Sequence, residues 1–128
     1  MKSKRSYLLY LEDMFHAMNA IEVFLQGLDY SRFLENQMAR DAVVRNFEII
    51  GEAAKKIPHS VQKLYPEIPW TQMYRLRNIV SHEYFGVDFA MIWRICRDYL
   101  PKNRADLAKV IHFEKEKSGQ AGLGLPSA

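Results

Sequence analysis

The chain of 128 residues is long enough for one domain with a buried core. Apolar residues make up 48% of it, as in globular proteins, and no run of about 18 apolar residues predicts a membrane span. A single cysteine, Cys96, excludes an intrachain disulfide framework and favours a reducing compartment, so we expect a cytoplasmic protein. The net charge of +3 permits a nucleic-acid partner without requiring one.

Two long helices are predicted by apolar residues that recur in steps of four and three. In the first helix the row is Tyr7, Leu11, Met14, Met18, Ile21, Leu25 and Leu28. In the second, which begins at Asn36 or Arg40 and ends near Lys56, it is Val43, Phe47, Ile50, Ala54 and Ile57. Between the two helices Gly27 favours a stop, and Ser31 is predicted to cap a short turn.

The second helix also carries a wholly charged row with the same spacing. Its members are Asp41, Arg45, Glu48 and Glu52. One interpretation is a solvated face whose side chains form weak ion pairs along the helix. The other is that Arg45, Glu48 and Glu52 line a polar cleft. The spacing alone leaves both open.

Three prolines, Pro58, Pro66 and Pro69, exclude a long helix over residues 57–70, where Ser60 is predicted to cap a single turn. Pro69 then fits the first turn of a new helix. The apolar side of that helix is Trp70, Met73, Leu76, Ile79 and Val80. It ends before Gly86, a glycine suited to a helix C-terminal cap.

Asp88 is predicted to cap the next helix. That helix buries Phe89, Ile92, Trp93, Cys96 and Leu100, and Pro101 either ends it or opens the last one, which carries Leu107, Val110, Ile111 and Glu114. Four or five amphipathic helices without a strand pattern predict an antiparallel all-α bundle over residues 1–117. Residues 118–128 have little to pack and are predicted to be a disordered tail.

Several kinds of site are disfavoured by the positions of the polar residues. Asp13 and His16 form an acid-x-x-His pair without the second copy that a di-metal bundle site needs, and His82-Glu83 lacks the further histidine of a zinc protease motif. No phosphate-binding loop or dinucleotide fingerprint occurs, so we expect no cofactor and no metal. His16, His59 and His112 receive no role.

The segment Arg77–Tyr84 combines an arginine, a histidine and a tyrosine where a helix is ending. A guanidinium suits a pair of phosphate oxygens, and a histidine exchanges a proton near neutral pH. In a regular helix Arg77 and His82 point roughly 140° apart. They therefore meet only if the last turn bends or if two copies of the chain share a cleft. Alternatively, both cations cap helix carbonyls and Tyr84 belongs to the core.

The segment resembles the R-x4-H-x-Y signature of HEPN-superfamily ribonucleases, specifically the HepT-like toxins. Other stretches resemble family blocks in the family's order, namely Ile50–Ala54, Pro66–Trp70, Tyr84–Asp88 and Asp98–Pro101. The resemblance covers residues 7–115. It implies an all-α bundle that forms a homodimer, in which the two signatures face a common groove.

The resemblance also implies an activity and a partner. The activity is metal-independent cleavage of RNA, in which Arg77 binds the phosphate, His82 transfers protons and Asn78 helps to orient the phosphate. The partner is a minimal nucleotidyltransferase antitoxin that transfers adenylate from ATP to Tyr84. The alternative is a non-catalytic subunit that binds a nucleotide or scaffolds a nucleotidyltransferase.

Overall fold

The computed structural model describes residues 6–81 and 86–117. In these ranges every regular element is helical, which confirms the predicted all-α fold. The helices are α1 Tyr7–Leu25, α2 Tyr30–Glu35, α3 Gln37–Lys55, α4 His59–Leu64, α5 Trp70–Ser81, α6 Phe89–Arg94 and α7 Leu100–Lys115. The single domain over residues 1–117 stays a prediction, and the tail at 118–128 lies outside the described residues.

The long helices run antiparallel to the neighbours they pack against. Helix α1 packs on α3 and α7, and α3 packs on α5. Contacts between residues near opposite helix ends show the directions; these pairs are Tyr7 with Glu114, Tyr10 with Lys56, and Tyr74 with Lys55. The bundle is thus antiparallel, as the short links between amphipathic helices predict.

The core is built from the apolar rows that the spacing predicts. The side chains that are fully buried are Leu11, Met14, Ile21, Phe33, Val43, Phe47, Ile50, Ile68, Ile92, Leu107 and Val110. Burying one such side chain contributes about 1.5–3 kcal/mol. Tyr7 and Leu28, the two ends of the first predicted row, are only half buried because they lie at or beyond the ends of α1.

One predicted helix N-cap, Asp88, is confirmed, two are wrong, and Asn36, predicted only as a possible start of the second helix, is the cap of α3. Asn36 and Asp88 accept hydrogen bonds from the backbone N–H groups three residues on, at 2.9 and 3.0 Å. The cap of α2 is Asp29 rather than Ser31, because the Asp29 carboxylate accepts from the Arg32 N–H at 2.9 Å. Ser60 lies inside α4, whose cap is Pro58 without a side-chain hydrogen bond.

The chain passes from α6 into α7 without a break, through a π-helical turn at Ile95–Tyr99. Within it the Leu100 N–H bonds the carbonyl of Ile95, five residues back. Pro101 follows at once, and a proline in an α-helix lacks an N–H and collides with the carbonyl four residues before it. A π turn adds one residue to the hydrogen-bonded loop of the backbone and so relieves the steric clash. Pro101 therefore opens α7 without ending the helix before it.

Glu114 is a charged residue that the fold buries, at 2% exposure. Its carboxylate accepts from the Tyr7 and Tyr65 hydroxyls at 2.5 and 2.6 Å and from Lys117 Nζ at 3.1 Å. Burial raises the pKa of Glu114, but these three hydrogen bonds outweigh it and the pKa is lowered. The carboxylate thus joins the end of α7 to the start of α1 and to the link after α4.

Among the described helices, none combines the length and the apolar character that crossing a lipid bilayer requires.

Candidate active site

Arg77 lies in the third turn of α5, on the side that faces α3. Its Nε is 2.8 Å from Oε2 of Glu52, which lies on α3. The side chain of Arg77 is 34% exposed and that of Glu52 is 54% exposed. The structure therefore joins the strongest candidate for phosphate binding to one of the carboxylates of the charged row. The guanidinium remains within reach of a ligand from solvent.

Gly51 allows α3 and α5 to come close at this point. A Cβ on Gly51 would lie 2.5 Å from the Cβ of Arg77, 2.8 Å from its backbone N and 3.0 Å from the carbonyl oxygen of Tyr74. Real Cβ atoms essentially never make contacts this short, and backbone atoms cannot move aside as a flexible side chain can. Glycine thus sets the distance between the two helices beside Arg77.

The remaining members of the signature are only partly described. Asn78 is exposed on α5, next to Arg77 in the chain. The helix continues through Ser81, so the segment between Arg77 and Ser81 does not unwind. His82 and Tyr84 lie outside the described residues, and their roles stay predictions. Gly86 has a φ of 124°, a conformation that L side chains rarely adopt.

The charged row of α3 borders a groove of about 330 Å³ between α1 and α3. The residues that line it are Tyr10, Asp13, Arg45, Glu48, Ile49, Glu52, Ala53 and Lys56. Arg45 Nη1 lies 3.8 Å from Oε1 of Glu48, so these two side chains also form the local ion pair of the solvated-face interpretation. Only Glu52 of this row contacts Arg77 in the described structure.

Two features of this site escaped the prediction from sequence. The contact between Glu52 and Arg77 joins different helices, and the spacing along one helix cannot show it. Gly51 did carry a signal, because a glycine inside a helix costs about 1 kcal/mol relative to alanine and often marks a close approach. Among the described residues, no group of three His, Cys, Asp or Glu side chains is arranged to hold a metal ion.

An all-α bundle that carries the signature arginine is what the HepT-like resemblance implies. The family model described as ribonuclease HepT-like matches residues 14–110, a range that contains the whole segment Arg77–Tyr84. The chain belongs to the HepT-like ribonuclease family.

Two of its relatives match over nearly their whole lengths. The "Probable ribonuclease HepT" of Thermococcus cleftensis is 40% identical over 107 residues, which cover 84% of this chain and 97% of the relative. The "Putative RNase MJ1380" of Methanocaldococcus jannaschii is 38% identical over 105 residues, which cover 82% and 96%. No solved structure matches the chain.

Proposed function

We propose that this chain is a metal-independent ribonuclease and the toxin of a toxin–antitoxin pair, with Arg77 and His82 as its catalytic residues. The observation that carries the proposal is the position of Arg77. Its guanidinium is tethered by Glu52 at the seam of α3 and α5, is 34% exposed, and lies in the segment that matches the family. An arginine that is held in place yet accessible is suited to bind a phosphate through a bidentate pair of hydrogen bonds.

The chemistry needs a base, an acid and a stabilised phosphate. The ribose 2′-OH attacks the adjacent phosphorus while a base takes its proton. The bond from phosphorus to the 5′ oxygen then breaks, and that oxygen accepts a proton. His82 serves in this general acid–base transfer, Arg77 neutralises the phosphate oxygens, and Asn78 donates a hydrogen bond to them. Proton transfer contributes about 10²–10⁴-fold, and one well-placed donor contributes a similar factor.

The site is shared by two copies of the chain. The helix α5 is regular from Trp70 through Ser81, and the proposal extends the same geometry to His82. Residues five apart in such a helix diverge by roughly 140°. In a homodimer, Arg77 of one copy can face His82 of the other across a groove. The RNA phosphate binds between them.

The cleavage test uses purified protein, single-stranded RNA and an excess of EDTA. The unmodified chain should cleave, and Arg77→Ala and His82→Ala should each lose about 10²–10⁴-fold in rate because each removes one part of the machinery. Arg104→Ala is a matched control, since Arg104 is also an arginine on a helix, is 31% exposed and pairs with a glutamate, Glu22. Its rate should be unchanged.

Mixing the two inactive variants tests the shared groove. A mixed dimer of Arg77→Ala and His82→Ala contains one groove in which both residues are intact, so activity should return after the subunits exchange. No recovery would show that each chain supplies both residues of its own site. Equal rates for Arg77→Ala, His82→Ala and the unmodified chain would overturn the ribonuclease proposal, and so would tight RNA binding without cleavage.

The antitoxin is a minimal nucleotidyltransferase that adenylylates Tyr84. The tyrosine oxygen attacks the α-phosphorus of ATP, pyrophosphate leaves, and the tyrosine proton passes to solvent. The product places a phosphodiester anion seven residues from Arg77 and two from His82. A nearby anion competes with the RNA phosphate for the guanidinium, so the modified toxin is inactive.

Intact-mass measurement tests this regulation. After incubation with ATP and a minimal nucleotidyltransferase, the chain should gain the mass of one or more adenylate groups and lose its RNase activity. The Tyr84→Phe variant should gain no adenylate at position 84 and should stay active. A chain that keeps its mass but is inhibited by the transferase would show that binding alone neutralises it.

A further inference from the structure

Glu52 forms an ion pair with Arg77 to which the proposed chemistry gives no role. It is more than half exposed, it comes from a different helix than the signature, and its carboxylate approaches Arg77 at Nε. A guanidinium has five N–H donors, and the four on the terminal nitrogens form the end of the fork. A carboxylate on Nε therefore leaves the end of the fork available for a phosphate.

We infer that Glu52 is a positioning residue, which fixes the orientation of the Arg77 guanidinium so that the free end of its fork faces the scissile phosphate. This inference rests on the proposed ribonuclease function. A long arginine side chain has many rotamers, and an acceptor at Nε restricts the torsions closest to the charged end. The reaction gains because the donors are already oriented when the substrate binds.

The backbone supports the same role. Gly51 lies next to Glu52 and allows α3 to approach α5 so closely that a Cβ added to Gly51 would lie 2.5 Å from the Arg77 Cβ. The carboxylate therefore extends from a rigid helix whose distance to α5 is set by this contact. An exposed ion pair on two independent loops would lose much of its geometry to side-chain motion, whereas this pair joins two packed helices.

A second glutamate–arginine pair in the same protein serves as the matched control. Glu22 on α1 contacts Arg104 on α7, again between two helices, with side chains 54% and 31% exposed. The corresponding values for Glu52 and Arg77 are 54% and 34%. The two pairs thus share their residue types and exposure, but Glu22 contacts Arg104 at Nη1, which also donates to Asn19, and only Glu52 contacts an arginine of the signature.

The test measures kcat and KM for RNA cleavage by Glu52→Ala, Glu52→Gln, Glu22→Ala and Glu22→Gln. Glu52→Ala should lower kcat by about 10–100-fold, the effect expected of a misplaced reactive group. Its KM should stay the same or fall, because a negative charge that repels RNA has been removed. Glu52→Gln keeps an oxygen that accepts from Nε, so its kcat should recover to within a few-fold of the unmodified chain. Both Glu22 variants should leave kcat and KM unchanged.

A double-mutant cycle with Arg77→Lys separates positioning from other effects. Lysine has no planar guanidinium for Glu52 to orient, so Glu52→Ala should lower kcat much less in the Arg77→Lys background than in the unmodified chain. Equal costs in both backgrounds would overturn the inference. So would a Glu52→Ala enzyme with unchanged kcat and a lower KM, which would reveal only a charge effect. If instead Arg77→Ala itself were fully active, the proposed function would fail and not the positioning alone.

Discussion

Glu52 and Glu114 are two carboxylates that each connect different helices, yet their surroundings differ in almost every respect. Glu52 is 54% exposed and contacts one arginine. Glu114 is 2% exposed and accepts from two tyrosine hydroxyls and a lysine. Exposure determines how much each bond contributes to stability, since an exposed ion pair contributes about 0–1 kcal/mol whereas a hydrogen bond to a buried charge contributes about 1.5–3 kcal/mol.

The difference separates a carboxylate that maintains the fold from one that serves a site. Burial has already removed water from Glu114, so its three donors must compensate for the lost hydration. Glu52 keeps much of its hydration, and its loss leaves no buried group without a partner. Replacing Glu114 should therefore change stability first, and replacing Glu52 should change activity first.

The largest effect on stability is expected from Glu114→Ala. Alanine removes two tyrosine hydrogen bonds to a charge and leaves the buried Tyr65 hydroxyl without its acceptor, so the free energy of unfolding should fall by about 3 kcal/mol. Chemical denaturation followed by circular dichroism measures this loss. Glu116→Ala is the control two positions on, because Glu116 is 67% exposed and its replacement should change little. Equal stability of both variants would contradict the structural role of Glu114.

The free energy of unfolding of the unmodified chain, measured from acid to alkaline pH, provides an independent check of the same bonds. The folded-state pKa of Glu114 is lowered from an ordinary value near 4.5, so its contribution is present above that value and is lost as the pH falls through the lowered pKa. The hydrogen bond to Glu114 raises the pKa of Tyr7 to about 12, and burial together with Glu114 does the same for Tyr65. The tyrosine contribution is present below pH 10 and is lost as the pH rises toward 12. In Glu114→Ala the free energy of unfolding should depend less on pH, both at the acid end and at the alkaline end.

The sequence predicted the long helices well because burial imposes a period on apolar residues. The 4-3 rows of α1 and α3 were found in this way, and the cap Asp88 was predicted from its residue type. The predicted cap Ser31 was wrong, since Asp29, two residues earlier, is an equally good cap and only the backbone path decides. The π turn before Pro101 also has no periodic signal.

The two carboxylates show why the sites were harder to predict than the helices. Glu114 is 49 residues from Tyr65 and 107 from Tyr7, so nothing near it in the chain reveals its partners. Glu52 was placed in a charged row that fits a solvated face or a cleft. Its bond to Arg77 spans two helices, and only their packing at Gly51 shows it. Arg77 itself was recognised because its signature is local.

The smallest net effect on stability, and the one that tests the comparison most directly, is expected from Gly51→Ala. Alanine favours a helix by about 1 kcal/mol over glycine. The new Cβ would however lie 2.8 Å from the backbone N of Arg77, and overpacking costs about 1–3 kcal/mol. The cost of the steric overlap should exceed the gain in helix propensity, because α5 has to move away from α3. The free energy of unfolding should therefore fall by about 1 kcal/mol. Thermal and chemical denaturation measure this net loss.

The same displacement should separate Arg77 from Glu52, so Gly51→Ala should lower kcat for RNA cleavage by much more than its small loss of stability explains. If the helix spacing at Gly51 matters because it brings Glu52 to Arg77, Gly51→Ala should lower kcat little further in a Glu52→Ala background. The contact between Glu52 and Arg77 is already absent there. Full activity of Gly51→Ala with lowered stability would show that the close approach of the helices serves the fold alone. Glu52 would then orient Arg77 without help from Gly51, and the seam of α3 and α5 would resemble the Glu114 cluster more than an active site.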